Sequence, residues 1–94
     1  MKKDNVAKRL LITGVVQGVG YRASFERQAV ALGLRGWVRN RRDGAVEAEV
    51  DGDAAAIEAI IAWAHKGPPA SRVEQVKVAE AQPAGAGFKI LPTV

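Results

Sequence analysis

The chain has 94 residues, no cysteine and a formal net charge of +4, which makes a single domain and excludes disulfide stapling, thiol catalysis and cysteine-bound metal. The lack of cysteine fits a cytoplasmic setting, and charged residues at 26% with apolar ones at 48% are an ordinary globular balance. No apolar run is long enough for a signal peptide or a membrane span, and the densest basic group, Arg39, Arg41 and Arg42, is interrupted by Asn40 and closed by Asp43, as a solvated basic edge would be.

Residues 1–7 read as a loose lead-in. Lys8 to Thr13 alternates, with Leu10 and Ile12 on one face and Leu11 and Thr13 on the other, which predicts a first strand. The stretch Gly14-Val15-Val16-Gln17-Gly18-Val19-Gly20-Tyr21-Arg22 follows. Its glycines allow a sharp turn in which successive N–H groups converge on one hollow. Tyr21 to Leu32 places Phe25, Ala29 and Leu32 at helical spacing, and Gly33 stands where a helix stops. Leu34 to Arg42 alternates again: Gly36, Val38 and Asn40 share one face, Trp37, Arg39 and Arg41 the other. Asp43-Gly44 is a hairpin turn pair. Ala45 to Asp51 continues the alternation, with Val46, Ala48 and Val50 inward and Glu47, Glu49 and Asp51 outward, opposite the outward arginines.

Asp51-Gly52-Asp53 punctuates the chain and offers Asp53 as an N-cap. Ala54 to His65 carries an apolar stripe of Ile57, Ile60, Ile61 and Ala64 and ends at Gly67-Pro68-Pro69, which predicts a second helix. Arg72 to Ala79 predicts a fourth strand. Gln82 to Gly87 is a Pro/Ala/Gly loop, and Phe88-Lys89-Ile90 a short last strand. The order is β-α-β-β-α-β plus a short β. Each strand has one apolar face, so both helices belong on one side of an antiparallel sheet. The expected fold is α+β, ferredoxin-like.

The glycine loop at a helix start suits an anion, and Arg22 supplies a permanent charge with a planar fork of donors; the same glycines could also serve only to turn the chain. A P-loop is excluded, because Gly20 is followed by Tyr21 and Arg22 rather than Lys and Ser/Thr. Gly18, Gly20 and Ala23 fit the dinucleotide pattern, but that pattern needs a doubly wound parallel sheet. Ser24 and Ser71 have no evident activating base. His65 falls at the end of the second helix, where a cation is favourable. No cluster has metal-ligand spacing. Chemistry here must work by positioning and electrostatics, as phosphoryl transfer from a good leaving group can. Asn40 is the candidate for placing a water; its other reading is a strand end before Asp43-Gly44.

Gly14 to Arg22 resembles the first signature of the acylphosphatase family. Gly36-Trp37-Val38-Arg39-Asn40, with Gly44, Val46 and Gly52 at their spacings, resembles the second. The likeness runs from about Lys8 to Ile90. It implies the ferredoxin-like fold and hydrolysis of an acyl phosphate, a small-molecule substrate, to a carboxylate and inorganic phosphate. It implies Arg22 as the phosphate-binding catalytic residue and Asn40 as the residue that orients water. The cradle would be the loop amides of Gln17, Gly18, Val19, Gly20, Tyr21 and Arg22. It implies no metal and no organic cofactor; neither a nucleic-acid nor a membrane partner is expected. The family also occurs as a domain at the start of larger hydrogenase-maturation proteins, and a stand-alone monomer is expected here. An RNA-binding module of the same topology would need aromatics on its central strands, which instead offer Leu10, Ile12, Val46, Ala48 and Val50.

Overall fold

The computed structural model of the chain describes residues 5–83 and 85–94. Seven elements follow in order: β1 (Asn5–Val15), α1 (Tyr21–Ala31), β2 (Arg35–Asn40), β3 (Val46–Asp53), α2 (Ala54–Lys66), β4 (Arg72–Glu80) and β5 (Phe88–Ile90). The strands make one sheet in the order β4-β1-β3-β2-β5. Every pairing is antiparallel except β2 with β5, which is parallel. The expected ferredoxin-like arrangement is present, and the short last strand makes its sheet mixed.

The apolar alternation sets which face meets the helices. Leu10, Ile12, Val38, Val46, Ala48 and Val50 are all buried. Tyr21, Phe25 and Ala29 of α1 and Ile57, Ile60 and Ala64 of α2 close over them. Phe25 stands 5.8 Å from Trp63 and 5.9 Å from Phe88, ring centre to ring centre. Such offset and edge-on contacts add about 0.5–1.5 kcal/mol each beyond area burial.

β1 and β3 are longer than their patterns suggest, and β4 runs one residue further, to Glu80. β1 begins at Asn5 because Asn5, Val6 and Ala7 pair with Asp53, Gly52 and Asp51. The expected lead-in therefore gives up residues 5–7 to the sheet, while residues 1–4 lie outside the described residues. The same pairing carries β3 through Gly52 to Asp53, where punctuation was expected. Asp53 does hold the N-cap position of α2, but its side chain makes no capping hydrogen bond. β1 also runs past Thr13, because Gly14 takes φ +123° at a register shift. A Cβ there would lie 2.2 Å from the Arg72 carbonyl oxygen.

The opposite face of the sheet carries the expected pairs in register. Arg39 Nη2 lies 2.9 Å from Glu47 Oε1, Arg35 Nη2 lies 3.2 Å from Asp51 Oδ1, and Arg9 bonds Glu49. Arg39 also lies over the Trp37 ring at 4.6 Å. The arginines cover their partners so fully that Glu47 is 5% exposed and Asp51 3%. These acids point outward as the alternation requires, yet they are buried. Arg39 and Arg41, read as part of a solvated basic edge, are paired with Glu47 and Asp43.

Tyr21 ties the two helices together: its hydroxyl donates to the Ala64 carbonyl at 2.8 Å, and its ring lies 5.4 Å from that of Trp63. Burial holds its phenol well above the ordinary pKa. The folded state thus binds the phenolic proton more tightly than the unfolded chain does. That stabilisation is intact below about pH 10 and is lost as the pH rises beyond it. Tyr21→Phe is expected to cost about 1–3 kcal/mol at neutral pH, because the Ala64 carbonyl is left buried and unpaired. Thermal unfolding of both proteins against pH checks this, and their difference should shrink above about pH 10. Tyr21 is the chain's one tyrosine, so phenolate absorbance reports its ionisation directly.

Candidate active site

β1 leads into the glycine loop, the loop into α1, and α1 returns the chain to β2. This crossover leaves β1 and β2 parallel on either side of β3. The start of α1 and the far end of β2 therefore meet at one edge of the sheet. A cleft of about 220 Å3 opens there, lined by Val16, Gln17, Gly18, Gly20, Tyr21, Arg22, Ala23, Asn40 and Ile90. It is smaller than the roughly 300–1,000 Å3 of sites that enclose a drug-sized ligand.

Gly20 caps α1 in the left-handed conformation, φ 78° and ψ 18°, and no side chain caps the helix. The first helical bond runs from Ser24 N–H to the Gly20 carbonyl. The amides of Tyr21, Arg22 and Ala23 precede it, at the positive end of a helix whose first turn has no acid. Those are the conditions for holding an oxyanion. Arg22 is half-buried at this edge and, among the described residues, has no carboxylate against it.

Asn40 lines the same cleft as Arg22, from the last position of β2. Its Oδ1 is buried with no hydrogen-bond partner, alone in this among the described residues. Its backbone is held firmly: the Asn40 carbonyl accepts from Val94 N–H at 3.2 Å, beside the pairing with Val46. The residue's backbone is thus fixed while its side-chain oxygen has no protein partner.

Of the expected residues, Gln17, Gly18, Gly20, Tyr21, Arg22 and Asn40 line the cleft and Val19 does not. Val19 packs its side chain against the core, and Tyr21, which does line the cleft, sends its hydroxyl to α2 and has only its backbone to offer a ligand. Gln17 turns its carboxamide to the β2–β3 turn. His65 stays in the last turn of α2, away from the cleft. Ile90, 40% exposed, is a wall that the sequence reading missed. It reaches the site because β5 pairs in parallel with β2, setting Ile90 beside Val38, and no local signal in Phe88-Lys89-Ile90 announces that partner.

Fold and cleft together define a small ferredoxin-like α+β protein with an open cleft at a helix start. The acylphosphatase family model matches residues 8–90. An acylphosphatase from Azoarcus sp. (strain BH72) is 59% identical over 92 residues, covering 96% of this chain and 94% of that protein. The solved acylphosphatase of Coxiella burnetii superposes with a TM-score of 0.90 at 30% identity, covering 97% of this chain and 99% of that one. A full-length HypF, solved in a phosphate- and nucleotide-bound form, superposes with a TM-score of 0.89 at 31% identity; the match covers 99% of this chain and 13% of that one. The chain belongs to the acylphosphatase family. Among the described residues no helix is long and apolar enough to cross a membrane.

Proposed function

We propose that this chain hydrolyses acyl phosphates with the loop amides from Gln17 to Arg22 and the Arg22 guanidinium holding the phosphoryl oxygens, while Asn40 orients the attacking water. The observation that carries the division of roles is the orphaned Asn40 Oδ1 in the same cleft as Arg22. A buried carbonyl oxygen left unpaired costs about 1–3 kcal/mol, and a water donating to it recovers that cost while being held toward the phosphorus.

The chemistry follows from the groups present. Water oxygen bonds to phosphorus as the bond from phosphorus to the acyl oxygen breaks. The carboxylate departs with the electron pair, and the proton shed by the water passes to solvent. A carboxylate is a weak base, with a pKa of about 4, so it leaves without a general acid. That matches a cleft whose lining includes no His, Asp or Glu. Arg22 supplies the positive charge that a metal gives in other phosphoryl-transfer sites, and among the described residues no group of His, Asp or Glu is placed to hold a metal ion. The reading takes the protein as a cytoplasmic monomer that needs neither metal nor organic cofactor.

The test compares an aryl acyl phosphate with an aryl phosphate monoester, with and without EDTA. Acyl phosphate should turn over in both conditions. The monoester should be slower by at least about 10²-fold, the least that a missing general acid is worth. Comparable monoester turnover, or activity lost to EDTA and restored by a divalent ion, would refute the proposal.

A further inference from the structure

We infer that Gln17 is a positioning residue whose carboxamide clasps the oxyanion loop to the β2–β3 turn and so fixes where Asn40 stands relative to the cradle. The inference rests on the roles given to Arg22 and Asn40 above. Gln17 Nε2 donates to the Arg41 carbonyl at 2.7 Å and to the Ala45 carbonyl at 2.9 Å. A carboxamide has two N–H donors, and both are used. The remaining Oε1 only accepts, so this side chain has nothing to give a phosphoryl oxygen.

The far end of the clasp is rigid. Gly44 N–H donates to the Arg41 carbonyl at 3.1 Å, and Arg41 N–H to the Ala45 carbonyl at 2.8 Å. Asp43 accepts from Ala45 N–H and from Arg41 Nε, each at 3.0 Å. Both acceptors of Gln17 therefore belong to a turn already fixed by its own bonds. The near end is as close to the chemistry: Gln17 directly precedes Gly18 of the cradle, and Arg41 directly follows Asn40. One peptide link separates the clasp from each half of the site. Among the described residues no other side-chain hydrogen bond joins the loop to this turn.

Gln17→Met keeps the length of the side chain and removes both donors. Loosening a water-placing group by about 1 Å costs up to about 10²-fold, so turnover should fall by about 10–10²-fold. The inhibition constant for inorganic phosphate should move by less than about threefold, since Arg22 and the helix amides remain. The deciding measurement is the double-mutant cycle with Asn40→Ala. If Gln17 acts through Asn40, adding Gln17→Met to Asn40→Ala should lower turnover by less than about threefold further.

Multiplying losses would overturn the inference, as would phosphate inhibition weakening in step with turnover, which would make Gln17 a phosphate ligand. A lower thermal midpoint with unchanged turnover per folded molecule would also overturn it. Gln17→Asn, which keeps the donors on a stem too short to reach, goes through the same cycle should Gln17→Met not fold. Wild-type turnover in Asn40→Ala alone would sink the division of roles and the clasp together. Multiplying losses beside an impaired Asn40→Ala would sink the clasp only.

Discussion

Arg22→Ala is expected to lower turnover by about 10³–10⁵-fold, the value of an arginine that stabilises phosphoryl transfer. The charge of Arg22 is available in a way that four of the chain's eight arginines are not. Arg9, Arg35, Arg39 and Arg41 each lie against a carboxylate, whereas Arg22 has none among the described residues. Its place at the second position of α1 also sets a cation against the positive end of the helix. Removing it should therefore relieve an unfavourable interaction of about 0.3–1 kcal/mol. That raises the thermal midpoint by roughly 1–6 °C for a domain of this size. Loss of activity together with a small gain in stability separates a working cation from a structural one. Phosphate, which should stabilise the wild type, should no longer do so in the variant. Arg22→Lys should rescue poorly, since an ammonium is a point charge without the planar fork. Full turnover in either variant, or a marked fall in thermal midpoint, would contradict the assignment.

Asn40→Ala should separate binding from chemistry. A single preorganised hydrogen-bonding group is worth about 10²–10³ in rate. If Asn40 meets the water chiefly in the transition state, turnover falls by that factor while phosphate affinity stays nearly constant. Stability gives a second, independent reading. Oδ1 makes no hydrogen bond to another protein group, so truncation breaks none and the thermal midpoint should hold. If the side chain only shaped the strand end before Asp43-Gly44, the midpoint would fall and turnover per folded molecule would not change. If phosphate binding weakened as much as turnover, Asn40 would belong to the cradle. Thermal unfolding, phosphate inhibition and turnover, measured on one preparation, decide among the three.

The alternation of Leu10 and Ile12, of Val46, Ala48 and Val50, and the stripe of Ile57, Ile60 and Ala64 were enough to define one apolar face per element. Side chains two apart in a strand, or three and four apart in a helix, share a face whatever the rest of the chain does. Asp43-Gly44 fixed the hairpin for the same local reason, and Gly18 and Gly20 marked a loop that only a positive φ allows. Arg22 and Asn40 were legible as residue types and as parts of two signatures.

Their meeting in one cleft was decided by the crossover through α1, which brings the start of that helix and the end of β2 to one edge of the sheet. The wall made by Ile90, the clasp made by Gln17 and the extension of β1 back to Asn5 belong to the tertiary structure as well. So does the burial of Glu47 and Asp51 beneath their arginines. Each depends on which distant segment pairs with which. Such pairing is set by loop closure and by the packing of the whole core, and no short-range pattern in Phe88-Lys89-Ile90 or around Gln17 carries that information.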